Sequence, residues 1–236
     1  CRPYDPTFAY EVAVILQHGM RRMLTEQVDE YYYLTLMNEN YAHPDMPEGA
    51  AEGIIQGMYL LRDAGRPKKG ELRVQLLGSG TILREAIFAA ELLDKEFGVS
   101  SDLWSCPSFT ELRREGFDAE RWNRLNPEAR TPRKPYVTTL LEGRQGPAIA
   151  ATDYVRQYAD QIRAFVPMRY SVLGTDGFGR SDTRAKLRRH FEVDRHYIAH
   201  AAIAALAAEG KMNAKDVARA IKVFDIDPGK ANPIGV

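Results

Sequence analysis

The stretch ELRVQLLGSGTILREAIFAAELLDKEFGVSSDLWSC, residues 71–106, changes its hydrophobic period twice. Leu72 to Leu77 alternates apolar with polar residues as far as Leu76 and is of strand length. Thr81 to Phe97 repeats its apolar residues at helical spacing, and Asp102 to Cys106 is a strand-length run again. The pattern predicts strand, helix, strand. Working outward, Phe109 to Leu125 reads as mostly helical, Ala148 to Ala151 and Tyr170 to Gly174 as strands, and Tyr154 to Phe165 as the helix between them. Tyr136 to Leu141 is rich in β-branched and aromatic residues and reads as a further strand, joined to Ala148 by a connection short enough for an antiparallel pair. Three helices close the chain at Asp182 to Phe191, Tyr197 to Glu209 and Ala214 to Phe224, with Asn213 as an N-cap and Gly210 as a stop. Strands interleaved with helices imply right-handed crossovers and a sheet covered on both faces. The fold class predicted is therefore α/β: a three-layer α/β/α domain around a mostly parallel, mixed sheet.

Upstream, Phe8 to Met23 has helical spacing, with Thr7 as its N-cap and Glu11 in the first turns. Tyr31 to Leu36 reads as a buried strand that delivers Met37, Asn38, Glu39 and Asn40 at its carboxyl end, the end at which open α/β sheets bind ligands. The two prolines in Tyr41 to Pro47 mark a linker, followed by a helix from about Glu48 to Asp63. This places a boundary between residues 1–48, the tail of a second α/β domain, and residues 49–236, the three-layer domain.

Composition narrows the function. The 236 residues carry 32 Lys plus Arg against 32 Asp plus Glu, with 44% hydrophobic and 10% aromatic residues. That is ordinary globular composition, enough for one or two domains, and it rules out disorder as the dominant state. Balanced charge and a pI near 7.1 argue against a nucleic-acid partner. The longest apolar run, Ala201 to Ala208, is far too short to cross a bilayer, so no membrane role is expected. Cys1 and Cys106 alone make neither a disulfide framework nor a zinc site, and such sparse usage fits a reducing, cytoplasmic compartment. The chain opens on Cys1-Arg2-Pro3 without a signal pattern, which reads as an internal cut in a longer protein.

Most motifs have a structural explanation. Gly78-Ser79-Gly80 joins a strand to a helix, but the third glycine of a dinucleotide fingerprint is replaced by Leu83, so the glycines are read as serving a tight turn. His196 and His200 stand four apart with no carboxylate between them and no third ligand, and no metal is assigned. Arg184, Lys186, Arg188, Arg189 and His190 read as a solvated helix face between Asp182 and Glu192. Cys106 reads as a buried, inert thiol, and no nucleophile with its base is visible. Two segments stand out for density of special residues. One is Asn38-Glu39-Asn40, a candidate substrate-side pocket wall. The other is the run around Gly174, Asp176, Gly177, Phe178, Gly179, Arg180 and Ser181, a candidate interface or structural loop whose glycines also suit a simple turn.

These segments, taken with Met46 to Ala50, Gln75 to Gly80, Ser108 to Leu112 and Ala151 to Tyr154, resemble the C-terminal end of the homodimeric pyruvate dehydrogenase decarboxylating component, a family in the thiamine diphosphate-dependent, transketolase-like superfamily. The resemblance covers essentially the whole chain, and Gly174-Thr-Asp-Gly-Phe-Gly-Arg-Ser-Asp182 is its most specific string. It implies that residues 1–48 end the pyrimidine-binding middle domain and that residues 49–236 form a transketolase C-terminal-like domain. It further implies thiamine diphosphate and Mg²⁺ in the intact enzyme, held by residues upstream of Cys1, with none held by this piece alone. The implied chemistry is decarboxylation of pyruvate and passage of the acetyl unit to a lipoyl group, carried by the cofactor while the protein orients and shields. The implied partners are the rest of the same chain, a second copy in a homodimer, and a lipoyl-bearing acetyltransferase core. No catalytic or cofactor-binding residue is assigned within residues 1–236, and the piece alone is expected to be inactive.

In sugar-phosphate transketolases the stretch matching Leu36 to Asn40 carries an arginine that contacts the substrate phosphate. The corresponding residue here is Asn38, which fits a substrate without a phosphate or, equally, a simple cap at a strand end. Two other classes remain open: a non-catalytic docking or regulatory domain that uses the basic helix around Arg184 to Arg189, and a transketolase-type sugar-phosphate enzyme.

Overall fold

The computed structural model describes residues 1–236. In chain order the first part comprises β1 (Arg2–Tyr4), α1 (Ala9–Met20) running into a π-helical turn at Arg21–Thr25, and β2 (Tyr32–Leu34). There follow α2 (Ala50–Gln56), β3 (Tyr59–Arg62), β4 (Leu72–Gly78), α3 (Ile82–Phe97), β5 (Val99–Ser105), α4 (Phe109–Leu125), α5 (Tyr136–Leu141) and β6 (Ala148–Ala151). The chain finishes with α6 (Arg156–Asp160), a 3-10 turn at Arg163–Phe165, β7 (Tyr170–Leu173), α7 (Arg184–His190), α8 (Arg195–Ala208) and α9 (Ala214–Val223).

Strands β3 to β7 form one five-stranded sheet in the order β3-β5-β4-β6-β7. All neighbours are parallel except β3, which pairs antiparallel with β5. The central strand β4 is buried along nearly its whole length, because helices cover both faces of the sheet. Val74 and Leu76 point to one face, where they pack with Ile149 against α3 and α8 around Leu83, Ala86, Ala199 and Ile203. Leu77 points to the other and meets Trp104, Phe109, Val137, Leu141 and Phe165. The period of two along each strand thus divides the apolar residues between two cores, which is the three-layer arrangement predicted. The N-cap at Asn213 is present, its side chain accepting from the backbone of Lys215 and Asp216, and Gly210 follows α8 in the left-handed conformation.

The short β1 and β2 pair in parallel as a separate two-stranded sheet, with Arg2 opposite Tyr32 and Tyr4 opposite Leu34. Strand β1 was not foreseen, since three residues give no readable period. The predicted buried strand Tyr31 to Leu36 shrinks to Tyr32–Leu34 and is not buried: Tyr31, Tyr33 and Leu36 are all exposed. The N-cap of α1 is Phe8 rather than Thr7, and Glu11 satisfies the free N–H groups of both by accepting from them.

Two elements overturn the sequence reading. The helix expected from Glu48 to Asp63 stops at Gly57, and Tyr59–Arg62 leaves as the antiparallel edge strand β3. The stretch Tyr136 to Leu141, read as a strand, is the helix α5. Its β-branched residues favour a strand locally, but Val137 and Leu141, four apart, are both fully buried while Thr139 between them is exposed. Burial at helical spacing outweighs the local preference. The antiparallel member of the sheet is therefore β3, on the opposite edge from the predicted pair.

Candidate functional site

The carboxyl ends of the parallel strands are where this fold can hold a ligand, and half of that rim is already occupied. Residues 3–11 run across the ends of β4 and β5. Asp5 donates its N–H to the carbonyl of Pro107 at 2.6 Å and accepts from the N–H of Gly80 at 3.0 Å. Ser108 donates to the carbonyl of Pro3 at 2.6 Å and Thr7 to that of Gly80 at 2.7 Å. The buried Asp5 carboxylate accepts from Tyr154 at 2.8 Å and from Tyr158. Glu11, with no solvent exposure, accepts from the hydroxyls of Ser105 and Tyr59 and from the backbone of Thr7 and Phe8. Burial raises its pKa, and these four donors oppose the rise without cancelling it. Asp5 and Glu11 are thus structural acids that lock the N-terminal segment onto the sheet.

What remains open is a cavity of about 320 Å³ at the ends of β4, β6 and β7. Its polar lining includes Thr81, Asp153, Thr175, Arg180, Arg184 and Arg188, and its apolar side includes Met37 and Phe191. The Asp153 carboxyl is pushed up, first by desolvation and also by Glu39, with Arg188 opposing.

The two predicted segments meet at this cavity, at different depths. Met37 lines it directly. Asn38 accepts from the Arg184 guanidinium at 2.5 Å. Glu39 accepts from Arg84 at 2.7 Å and Arg188 at 2.8 Å, with Arg184 3.9 Å away. Burial alone would raise the Glu39 pKa, yet the hydrogen bonds and charges of Arg188 and Arg84 hold it below the usual carboxylate range. Asn40 is exposed and takes no part in this network.

From the loop after β7, Gly177, Gly179 and Arg180 line the cavity. Gly174 and Gly177 have structural causes: a Cβ on Gly174 would lie 2.5 Å from the Arg156 nitrogen, and Gly177 holds φ +121 where a side chain would strike the Pro233 carbonyl. Asp176 accepts from the Arg156 N–H at 3.0 Å, which fixes the loop to the start of α6. Phe178 is 76% exposed and Ser181 is also exposed. The helix cap after this loop is Thr183, whose hydroxyl accepts from the Lys186 N–H.

The basic cluster is not the solvated face read from its composition. Arg184 and Arg188, four apart, turn toward Asn38 and Glu39, and Arg188 is largely buried. That spacing was the available signal; what hid it was that the acidic partner lies 149 residues earlier in the chain. Arg84 and Glu85 are likewise invisible for want of any local motif, and Asp153, though inside the Ala151 to Tyr154 segment, is not singled out there. Elsewhere, Cys106 is fully buried and burial raises its thiol pKa. Gly78 lies within 2.6 Å (from a would-be Cβ) of the Leu83 Cα, the close strand-to-helix packing expected of it. His196 lies 3.6 Å from Asp194, and no group of three or more His, Cys, Asp or Glu side chains converges in a way that could hold a metal ion.

With this geometry in view, comparison with known proteins is specific. The family model described as the transketolase-like TK C-terminal domain matches residues 57–194. The chain belongs to the transketolase-like C-terminal domain family. The model of the pyruvate dehydrogenase E1 component middle domain matches residues 1–44, the part that carries the two-stranded sheet and the Asn38–Asn40 segment. Over its whole length the chain is 60% identical to the pyruvate dehydrogenase E1 component of Cupriavidus necator, and over 99% of its length 58% identical to that of Pseudomonas aeruginosa. It spans about a quarter (26%) of the length of these relatives. The transketolase C-terminal fold is also seen in the crystal structure of Pichia stipitis transketolase in complex with sedoheptulose 7-phosphate. That likeness has a TM-score of 0.59 at 16% identity and covers 89% of this chain and 26% of that one.

Proposed function

We propose that this chain is the C-terminal part of a pyruvate dehydrogenase E1 component that decarboxylates pyruvate with thiamine diphosphate and Mg²⁺ and reductively acetylates the lipoyl group of an acetyltransferase core. The observation that carries the reading is unbroken similarity: 60% identity runs from the first residue to the last, through both the middle-domain tail and the C-terminal domain. The division is proposed at residues 1–48 and 49–236, on either side of the turn that precedes α2.

When bound, thiamine diphosphate supplies the electron sink for loss of CO₂. Around the cavity Asp5 and Glu11 are committed to the seam and Glu39 and Glu85 to arginines, which leaves Asp153 as the acid on the lining and no group of three or more His, Cys, Asp or Glu side chains that could hold a metal ion. The cofactor and its metal are therefore assigned to other parts of the intact protein, and no step is derived through them. This chain's part is to place Met37–Asn40 as one wall of the substrate side and, with the exposed Phe178 loop, to brace a homodimer. No helix is long and apolar enough to cross a membrane, and a cytoplasmic enzyme is proposed.

The test is to assay the full-length protein for CO₂ release from pyruvate and for acetyl transfer to lipoamide, each dependent on thiamine diphosphate and Mg²⁺. Activity on pyruvate with none on xylulose 5-phosphate is the expected outcome. Two-carbon transfer from the sugar phosphate with no action on pyruvate would return the reading to transketolase.

A further inference from the structure

Helix α7 is held to the rest of the molecule in an unusual way. It is seven residues long and none of them is fully buried, so apolar packing fixes it only through the half-buried Leu187 and the adjoining Phe191. Arginines do the rest. Arg188 donates to Glu39 at 2.8 Å and to the Thr81 hydroxyl at 3.1 Å through one nitrogen, and to Glu85 at 3.4 Å through the other. Glu85 is in turn fixed by Arg195, which donates to it from its backbone N–H at 3.0 Å and from its side chain at 2.9 and 3.1 Å. Arg84 closes the other side of Glu39 at 2.7 Å while its guanidinium lies 4.3 Å from the centre of the Tyr41 ring.

The Met37–Asn40 segment, by contrast, has no regular secondary structure of its own, and Met37 and Asn38 are exposed. Nothing in its own backbone determines where it sits. Its position is set from outside, by Arg84 on α3 and by Arg184 and Arg188 on α7.

We propose that Arg188 is the positioning residue of this wall: it joins Glu39 of the middle-domain tail to Glu85 and Thr81 at the start of α3, and so fixes Met37–Asn40 at the edge of the cavity. Its planar fork is what allows one side chain to reach both carboxylates, which a lysine cannot do. Charged hydrogen bonds that are only partly exposed are strong enough to order a segment, whereas fully solvated pairs are not. The lowered pKa of Glu39 and of Glu85 agrees with both being held as carboxylates, against the burial that would raise them. The consequence for turnover rests on the pyruvate decarboxylase reading; the ordering of the segment does not.

The experiment uses the full-length protein and its Arg188→Gln, Arg188→Lys and Arg184→Gln variants, with two readouts. Hydrogen–deuterium exchange followed by mass spectrometry should show faster uptake in peptides covering residues 36–46 of Arg188→Gln, with peptides covering 72–97 unchanged. Arg184→Gln, an exposed position that does not threaten folding, should show a smaller rise in the same peptides. For pyruvate, Arg188→Gln should lower kcat/KM about tenfold or more, the scale of loss when a positioning contact goes, and chiefly through KM, with partial recovery in Arg188→Lys. A purely structural defect would instead lower the active fraction, and so kcat, at constant KM. Unchanged uptake over 36–46 in Arg188→Gln overturns the proposal whatever the activity and whatever Arg184→Gln shows. Faster uptake with unchanged kcat/KM overturns the positioning role. Faster uptake in Arg188→Gln, combined with a wild-type protein that does not act on pyruvate, leaves the clamp standing and removes the decarboxylase reading.

Discussion

Asp102 has no solvent exposure; it lies midway along β5, opposite Gln75 of β4, and does not line the cavity. It accepts from the Ala64 N–H and the Gln75 amide, each at 2.9 Å, and from Arg73 at 3.3 Å. Arg73 is itself buried, so removing the carboxylate leaves its guanidinium with Glu71, 3.3 Å away, as its remaining acid partner, and strips the Gln75 amide and the Ala64 N–H of their acceptor. Asp102→Ala should cost about 3–5 kcal/mol, read as a lower urea midpoint with the slope preserved. His200 gives a pH dependence of known sign. Burial lowers its pKa and its Nε2 has no partner, so the folded state resists a proton that the unfolded chain accepts. Stability is therefore undiminished above the unfolded histidine value of about 6.5 and declines as pH falls below it. His200→Gln should flatten the decline in stability below about pH 6.5. Glu39 and Glu85 act lower on the scale: with folded values below the ordinary carboxylate range, they stabilise above about pH 4.3 and lose that contribution as acid protonates them.

Among the elements, α5 separates what local sequence says from what packing decides. As a strand, Val137, Thr139 and Leu141 would share one face; as the helix observed, Val137 and Leu141 are buried and Thr139 is exposed. Leu141→Ala should cost about 2–5 kcal/mol, and Thr139→Ala should stay within about 0.5 kcal/mol, in the same denaturation series. Comparable losses at both positions would restore the strand. The parallel core was legible because β4, α3, β5, α4 and β6 are long or fully buried enough for their period to be read, and the predicted Phe109–Leu125 and Ala148–Ala151 coincide with α4 and β6. The three-residue β1 and the edge strand β3 were not, since neither has an uninterrupted period and each exists only through its partner strand. The same holds at the site. Asn38, Glu39 and the Gly174–Ser181 run were visible as dense local motifs. Arg84 and Arg188 were not, because their significance lies in a carboxylate 45 and 149 residues away.

At the scale of the whole molecule, the N-terminal segment is no appendage. Asp5, Thr7 and Glu11 thread it across the ends of β4 and β5, so the two sheets share one polar seam and the cavity opens only beside it. The seam presents Met37–Asn40 outward from the sheet, while Leu16, Met20, Leu24, Tyr31 and Tyr33 on the two-stranded side remain exposed. Exposed apolar residues gathered on one part of a molecule mark a surface made for contact, which accords with a chain that spans about a quarter (26%) of its relatives. The central claim is that this polypeptide supplies a wall and a brace, while the reactive groups lie in the remainder of the enzyme. The most direct test is CO₂ release from pyruvate by the isolated 236-residue chain, given saturating thiamine diphosphate and Mg²⁺ and set beside the full-length protein. The account predicts turnover by the full-length protein and none above the uncatalysed background by the chain alone; turnover by the isolated chain would contradict it.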